Sequence, residues 1–418
     1  MSAKVLVIGA GIVGVSTALA LARRGFRVRV IEKNPAVGCG STAQTSSVIR
    51  CHYTRKEAIA LAHEGACVWG RWSEYLGLQQ TRANYHATGV LFLMRQGAGG
   101  PPSESLGVKA EMDQSDLDAR LAMMKEIGVE ASLMNPEALS EHLPFFSFPE
   151  DDVVGIWEPQ SGFVYPPVGA VEDLHEAAVN AGVTFSLNTS VVDGTSEWRA
   201  HRRQISKVNL VQDGLEECVA VDAVVNCAGP ASHEINLAFN CPLPLSTAPQ
   251  RQFIVEATWS NPIPGVPAMA DLSTGFYIRP HHEVFKVGAA LALDHVDFSI
   301  DTTHPKTEQL KTEFQSRVLA SLNHRIPHIE LTDIETKVAF YDWSVSDSYP
   351  IIDATDIEGY YVAIGTSGAW FKGGPVIGEM MAEKIHRDTL KNKKQVFKLA
   401  YTSNEIPLNA FAVHKRIH

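Results

Sequence analysis

The sequence predicts an α/β protein. A domain of parallel βαβ units alternates along the chain with an α+β domain of antiparallel strands. Three observations carry this expectation. Residues 4–32, KVLVIGAGIVGVSTALALARRGFRVRVIE, have the pattern strand, glycine turn, helix, strand. Apolar strands running into glycine turns and helices recur at VVNCAGPAS (Val224 to Ser232) and at YYVAIGTSGAWFKGGPVIGE (Tyr360 to Glu379). Between them RQFIVEA, GFYIRP and VFKVGAA alternate with period two over residues 250–290, as strands with one buried face do.

In the first unit Val5 to Ile8 is short enough for a buried strand, and Gly25 caps the helix that follows. Gly9, Gly11 and Gly14 have the G-x-G-x-x-G spacing. The first allows the tight turn, the second lets backbone approach a pyrophosphate, and the third lets helix and strand pack closely. The helix start, Ile12 and Val13, offers free N–H groups and a positive dipole end to phosphates. The second strand, Phe26 to Ile31, ends on Glu32, where a carboxylate can accept from ribose hydroxyls. The unit therefore predicts dinucleotide binding, and by itself does not separate NAD from FAD.

Further along, residues 34–50 form a Gly/Ser/Thr-rich loop at the sheet edge where ligands bind. Helices are expected at Ala58 to Leu76 (with Trp69 and Trp72 inward), Asp113 to Ile127, Asn135 to His142, Val168 to Ala181 and Glu308 to Leu322. Strands are expected at His86 to Leu93, Val183 to Leu187, Ile205 to Val211, Glu217 to Val225 and Tyr360 to Ile364. Gln96 to Ser105 is Gly/Pro-rich and expected to be a loop, and Trp157 to Pro167 a turn-rich crossing. There is no internal repeat. Units of parallel type at the start, middle and end predict one discontinuous domain, 1–84, 161–240 and 341–418, interleaved with a second, 85–160 and 241–340.

The chain has 418 residues, enough for two domains. Its net charge of −11 argues against a nucleic-acid partner. None of the six cysteines forms a C-x-x-C pair, so no zinc or redox motif is expected, and no metal. The first apolar stretch is already a strand of the fold, and Ile12 to Ala22 is too short for a bilayer. A cytoplasmic protein with no membrane span, monomeric or homodimeric, is expected.

These motifs, with GSTAQTSSVIRCHY (Gly40 to Tyr53), FKVG (Phe285 to Gly288), YPIID (Tyr349 to Asp353) and GTSGAWFKGGPVIGE (Gly365 to Glu379), resemble the D-amino-acid oxidase superfamily of FAD-dependent amine oxidoreductases. The sarcosine oxidase and glycine oxidase branch is the most similar. The resemblance covers nearly the whole chain. It implies a Rossmann-like domain of glutathione-reductase type for FAD beside an antiparallel substrate domain. The implied cofactor contacts are Gly9, Gly11, Ile12, Val13, Gly14, Glu32 and Lys33, then Ser41, Thr42 and Ser46. Val191, Ala228, Gly229, Gly368, Ala369, Phe371 and Lys372 complete them. Arg50 and Lys372 fall where sarcosine oxidases bind the substrate carboxylate, a planar two-point grip and a compact second charge. Lys286 falls where they place a lysine over the flavin that promotes reaction with O2. Arg279, with Tyr277 on the same strand face, is a second candidate substrate ligand.

The chain departs from that branch at three places. Ala339 to Tyr341 contains no cysteine, so the FAD is expected to be non-covalent. The histidine after the FKVG lysine is replaced around Ala289 to Ala290, and a glycine by Trp370. Trp370, Tyr341 and Trp343 suggest an aromatic pocket wall and a substrate other than sarcosine. The implied reaction is oxidation of the C–N bond of an amino acid or N-substituted amino acid to an imine, with Arg50, Lys372 and Lys286 as the catalytic set. O2 is the expected acceptor. A quinone- or protein-linked dehydrogenase, an NAD-dependent dehydrogenase and a non-catalytic flavoprotein subunit remain alternatives.

Overall fold

The computed structural model describes residues 2–97, 102–103, 108–245, 247–290, 306–392 and 394–413. Most of the expected loop at Gln96 to Ser105 lies outside them.

Alternating apolar segments of two textures produce two large sheets. The first has six strands in the order Thr184–Ser186, Arg27–Ile31, Lys4–Ile8, Ala223–Asn226, Tyr360–Ile364, Ile351–Ala354. The first five run parallel and the last antiparallel. The three central strands are almost wholly buried, as strands covered on both faces must be. Helices Ile12–Arg23 and Gly374–Thr389 pack together on one face. A Cβ at Gly14 would stand 1.9 Å from the carbonyl oxygen of Gly9, so only glycine lets this helix start so close to its strand.

The second sheet runs Leu331–Ser344, Thr247–Trp259, Val284–Ala289, Phe276–His281, Ala268–Asp271, Val90–Gln96, Val153–Glu158, Ser132–Met134, with Glu111–Met112 beside Val90–Gln96. Its pairs are antiparallel except at Ala268–Asp271 with Val90–Gln96 and at Glu111–Met112. The two faces differ in kind. Phe253, Val255, Phe276, Ile278, Phe285 and Val287 point to one side and pack with Phe314, Val318 and Leu322 of helix Lys306–Arg325. By register, Gln252, Gly288, Tyr277, Arg279, Lys286, Ala270 and Phe92 share the other side. That side looks toward the glycine turns of the first sheet.

Several elements differ from expectation. The helix expected over Ala58 to Leu76 is two, Lys56–Gly70 and Trp72–Leu76, broken at Arg71, whose backbone is non-helical. Trp72 there donates its indole N–H to Asp173, 3.1 Å away. The crossing at Trp157 to Pro167 contains strand ends, Val153–Glu158 and Gly162–Tyr165, whose apolar residues are buried. The strand expected over Glu217 to Val225 is two, Leu215–Ala220 in a small outer sheet and Ala223–Asn226 in the main one. Strands Thr189–Arg199, Ala268–Asp271 and Leu331–Ser344 were not expected. The first and last carry polar residues on both faces over their exposed halves, so period-two alternation is lost. Among the described residues no helix is long and apolar enough to cross a membrane.

Candidate active site

The glycine turn of the first unit opens on a long groove. Gly9, Gly11, Ile12, Val13, Glu32, Lys33, Ser41, Thr42, Val191, Ala228 and Gly229 all line it, so three separate chain segments build one wall. Gly14 lies beneath, in the helix–strand contact. The Glu32 carboxylate is held in place by the backbone N–H groups of Ala10 and Asn34, at 2.8 and 2.9 Å. Asp342, unforeseen in sequence, also lines the groove. It accepts from the N–H of Gly365 at 2.5 Å and from Ser232 Oγ at 2.9 Å, tying two glycine turns together. Burial pushes its carboxyl up to about 7.

The groove continues, through Gln44/Thr45, Phe340/Tyr341 and Thr366/Ser367, into a cleft between the two sheets. Ser46, Arg50, Tyr277, Tyr341, Gly368, Ala369, Phe371 and Lys372 line this cleft. Tyr277 Oη lies 2.9 Å from Ser46 Oγ. A Cβ at Gly288 would meet the Tyr277 ring at 2.4 Å, so this glycine makes the room for it.

The cationic end of the cleft is built around Tyr53. The Arg50 guanidinium lies 4.0 Å over the Tyr53 ring and 5.2 Å from that of Phe92, and donates to the carbonyl of His52. Lys372 Nζ donates to Tyr53 Oη at 3.0 Å and to the carbonyl of Ala369. Tyr53 Oη donates in turn to that same carbonyl at 2.9 Å. Burial and then the nearby Arg50 push the Lys372 ammonium well below its ordinary value. Glu158, buried behind, accepts from the N–H groups of Cys51 and His52, both at 2.8 Å, and from Ser161 Oγ at 2.5 Å. Tyr53 and Glu158 were missed in sequence; Tyr53 lies three residues after Arg50, a spacing that by itself signals nothing.

Four residues expected in the site lie elsewhere. Trp370 does not line the cleft. It is buried behind Tyr53, stacked on it at 4.8 Å with Phe411 beyond, so it supports the wall instead of forming it. Trp343 is likewise buried, its indole donating to Ser348 Oγ at 3.3 Å. Lys286 sits on the cleft-facing side of its sheet but is ion-paired with Glu256 at 3.1 Å, and it opens on a separate cavity beside Ala43 and Gln44. Arg279 is fully buried between Phe163 and Tyr165, with no hydrogen-bond partner among the described residues for any of its three nitrogens.

The family model described as DAO, FAD dependent oxidoreductase, matches residues 4–384. The chain belongs to this family. No curated protein sequence matches it. Among solved structures, this DAO-family chain is similar to L-proline dehydrogenase from P. horikoshii, at 23% identity and TM-score 0.74, over 93% of this chain and 94% of that one. Glycine oxidase from Geobacillus kaustophilus is 18% identical, TM-score 0.73, over the whole of both chains. Iminodiacetate oxidase from Chelativorans sp. BNC1 is 20% identical, TM-score 0.68, over 98% of both.

The DAO-family protein is an FAD-dependent oxidoreductase. Its residues fit that cofactor. The groove brings together glycine backbone at a helix N-terminus and a carboxylate at the end of the second strand, the donor and acceptor set of an adenine dinucleotide. Among the described residues no cluster of side chains suits a metal ion.

Proposed function

We propose that this protein oxidises the C–N bond of an amino acid, or of an N-substituted amino acid, to an imine. One observation carries the reading: Arg50 and Lys372 line the same cleft that continues the dinucleotide groove. On this reading residues 1–84, 161–240 and 341–418 form the domain that holds FAD, non-covalently, and residues 85–160 and 241–340 the substrate domain, with the carboxylate anchors Arg50 and Lys372 reaching the cleft from the FAD side. FAD held there would supply the acceptor for the hydride that leaves the carbon next to nitrogen.

The chain's own groups supply position and charge. Arg50, its guanidinium 4.0 Å over the Tyr53 ring, supplies the planar two-point grip for the carboxylate. Lys372 adds a charge that burial disfavours until an anion arrives, so substrate binding and lysine protonation support each other. Tyr53 holds both cations in register. Tyr277 and Tyr341 flank the amine end, and Phe92 with Phe371 exclude water. Among the described cleft residues no carboxylate or histidine stands as a base, so the amine binds neutral and the imine hydrolyses, or cyclises, after release.

O2 is the proposed acceptor, giving H2O2, with Lys286 as the promoting cation. A quinone or protein acceptor is the second reading, and the Glu256–Lys286 ion pair favours it, because a neutralised ammonium offers less to a developing superoxide. Steady-state turnover on a panel of D-, L-, N-methyl and cyclic amino acids tests the function. Peroxide appearing with substrate loss identifies an oxidase; turnover only with an added quinone or dye identifies a dehydrogenase. No flavin reduction by any of them overturns the proposal.

A further inference from the structure

A buried cation with no hydrogen-bond partner among the described residues is the strongest unexplained feature of the structure. Arg279 has no exposed surface, and its Nε and both Nη atoms lack hydrogen-bond partners among the described residues. Carboxylates nearby are already engaged: Glu256 holds Lys286 and Lys337. What surrounds the guanidinium is aromatic, Phe163 at 5.1 Å and Tyr165 at 5.4 Å from their ring centroids. Rings of this kind hold a guanidinium in place but leave its five N–H donors unsatisfied. A desolvated charge in that state is costly, and proteins keep one where a counter-ion completes it.

The position of Arg279 says where that counter-ion comes from. It shares a strand face with Tyr277, a cleft residue, one pleat repeat along. By register Tyr277 pairs with Ala270 and Ala270 with Phe92, and Arg50 lies over Phe92. Arg279 and Phe92 are therefore two strands and one pleat repeat apart, about 12 Å between backbone positions. The strand between them presents only alanines to this face, Ala268 and Ala270. Tyr277 and Ala270 line the cleft, and Arg279 lies one pleat repeat beyond that lining, across the same floor of methyl groups.

We infer that Arg279 receives a second carboxylate on the substrate, so that the enzyme acts on amines flanked by two acid groups in preference to neutral amino acids. This rests on the amino-acid reading above and specifies its substrate class: an acidic amino acid, or an amino acid carrying an N-carboxyalkyl arm. Arg50 and Lys372 take one acid and Arg279 the other.

Unreactive acids of matched length test this on the full-length FAD-loaded protein, with dissociation constants taken from the perturbation of the flavin absorption. Glutarate is compared with pentanoate, and succinate with butanoate. One diacid should bind at least tenfold more tightly than its monoacid. Arg279→Met, similar in volume but uncharged, should abolish that preference while leaving monoacid affinity within threefold, and Arg279→Lys should restore part of it. Thermal melting and FAD content of each variant are measured first; Arg279→Gln replaces the Met variant should that one not fold. A preference that survives loss of the charge overturns the inference, as does an equal loss for both acid types. If the wild type shows no preference, yet monoacids bind and Arg50→Ala abolishes their binding, the inference falls and the amino-acid reading stands. If no acid perturbs the flavin, both fall.

Discussion

The cofactor groove and the cationic end of the cleft are built on opposite plans. The groove is mostly backbone: glycine turns, a helix start and the Glu32 carboxylate, held by N–H groups from its own βαβ unit and the residues just after it. The cationic end is mostly side chains, brought from strands and loops more than 300 residues apart in sequence, as Tyr53 and Lys372 are. In the first, the Glu32 carboxylate already has its partners without ligand. The second holds buried positive charge that an anion would complete. A site made of backbone is prefigured by local spacing, whereas a site made of side chains exists only after the fold has closed.

The largest effect expected from breaking the first region is at Gly14. A Cβ there would overlap the Gly9 carbonyl at 1.9 Å, so Gly14→Ala must displace the turn that cradles the phosphates. FAD affinity should fall by about 100-fold or more, the order of several kcal/mol for backbone overpacking at a site. Fluorescence titration of FAD checks it; unchanged affinity would show that the turn does not carry the cofactor.

The corresponding break in the second region is Arg50→Ala. Removing one charge of a desolvated recognition pair costs about 2–5 kcal/mol, so KM for a carboxylate substrate should rise by about 100-fold while FAD affinity stays unchanged. Tyr53→Phe is a gentler cut. It removes the hydroxyl that holds Lys372 Nζ and the Ala369 carbonyl but keeps the ring under Arg50. A loss of about tenfold in carboxylate affinity is expected, from one or two hydrogen bonds to a charged group. Equal affinities in Tyr53→Phe and wild type would remove Tyr53 from the account.

Proton linkage sharpens the contrast further. The folded Lys372 ammonium titrates below its unfolded value, so this residue costs stability at low pH, and the cost fades as pH rises toward the unfolded value. Carboxylate binding should run the other way, weakening as pH rises through the depressed folded value; Lys372→Met should flatten the profile. Asp342 predicts the smallest effect. Its raised carboxyl, about 7 against an unfolded carboxylate near 3.9, is neutral below that pH and charged above it. Its contribution to stability therefore falls between about pH 4 and 7. FAD, an anion in the same groove, should bind a few-fold more tightly at pH 6 than at pH 8, and Asp342→Asn should remove the difference.

How much of this was legible in the sequence follows the same division. The N-terminal unit with Glu32, the turn at Ala228 and Gly229 and the strand Tyr360–Ile364 were visible because each depends on local pattern, whereas Lys33, Ser41, Thr42 and Val191 came from motif resemblance. Arg50 and Lys372 came from motif resemblance, and the fold does bring them into one cleft. The stack of Arg50, Tyr53 and Trp370 was not legible: a ring behind a ring looks, in sequence, like any core aromatic, and Trp370 was expected one layer too far forward. The pairing of Lys286 with Glu256 depends on the register of two strands roughly thirty residues apart, which alternation alone does not set. Strand Leu331–Ser344 escaped for a related reason, since its exposed half carries Thr, Asp, Glu and Lys on both faces.

The central claim is that a carboxylate-anchored amine is oxidised in the cleft that continues the FAD groove. Anaerobic mixing of the FAD-loaded protein with a reactive amino acid and with its carboxamide tests it most directly, following the flavin absorption near its long-wavelength maximum. The account predicts that the acid bleaches the flavin and the amide, having lost the charge that Arg50 and Lys372 grip, bleaches it at least a hundredfold more slowly. Equal rates for acid and amide would contradict it.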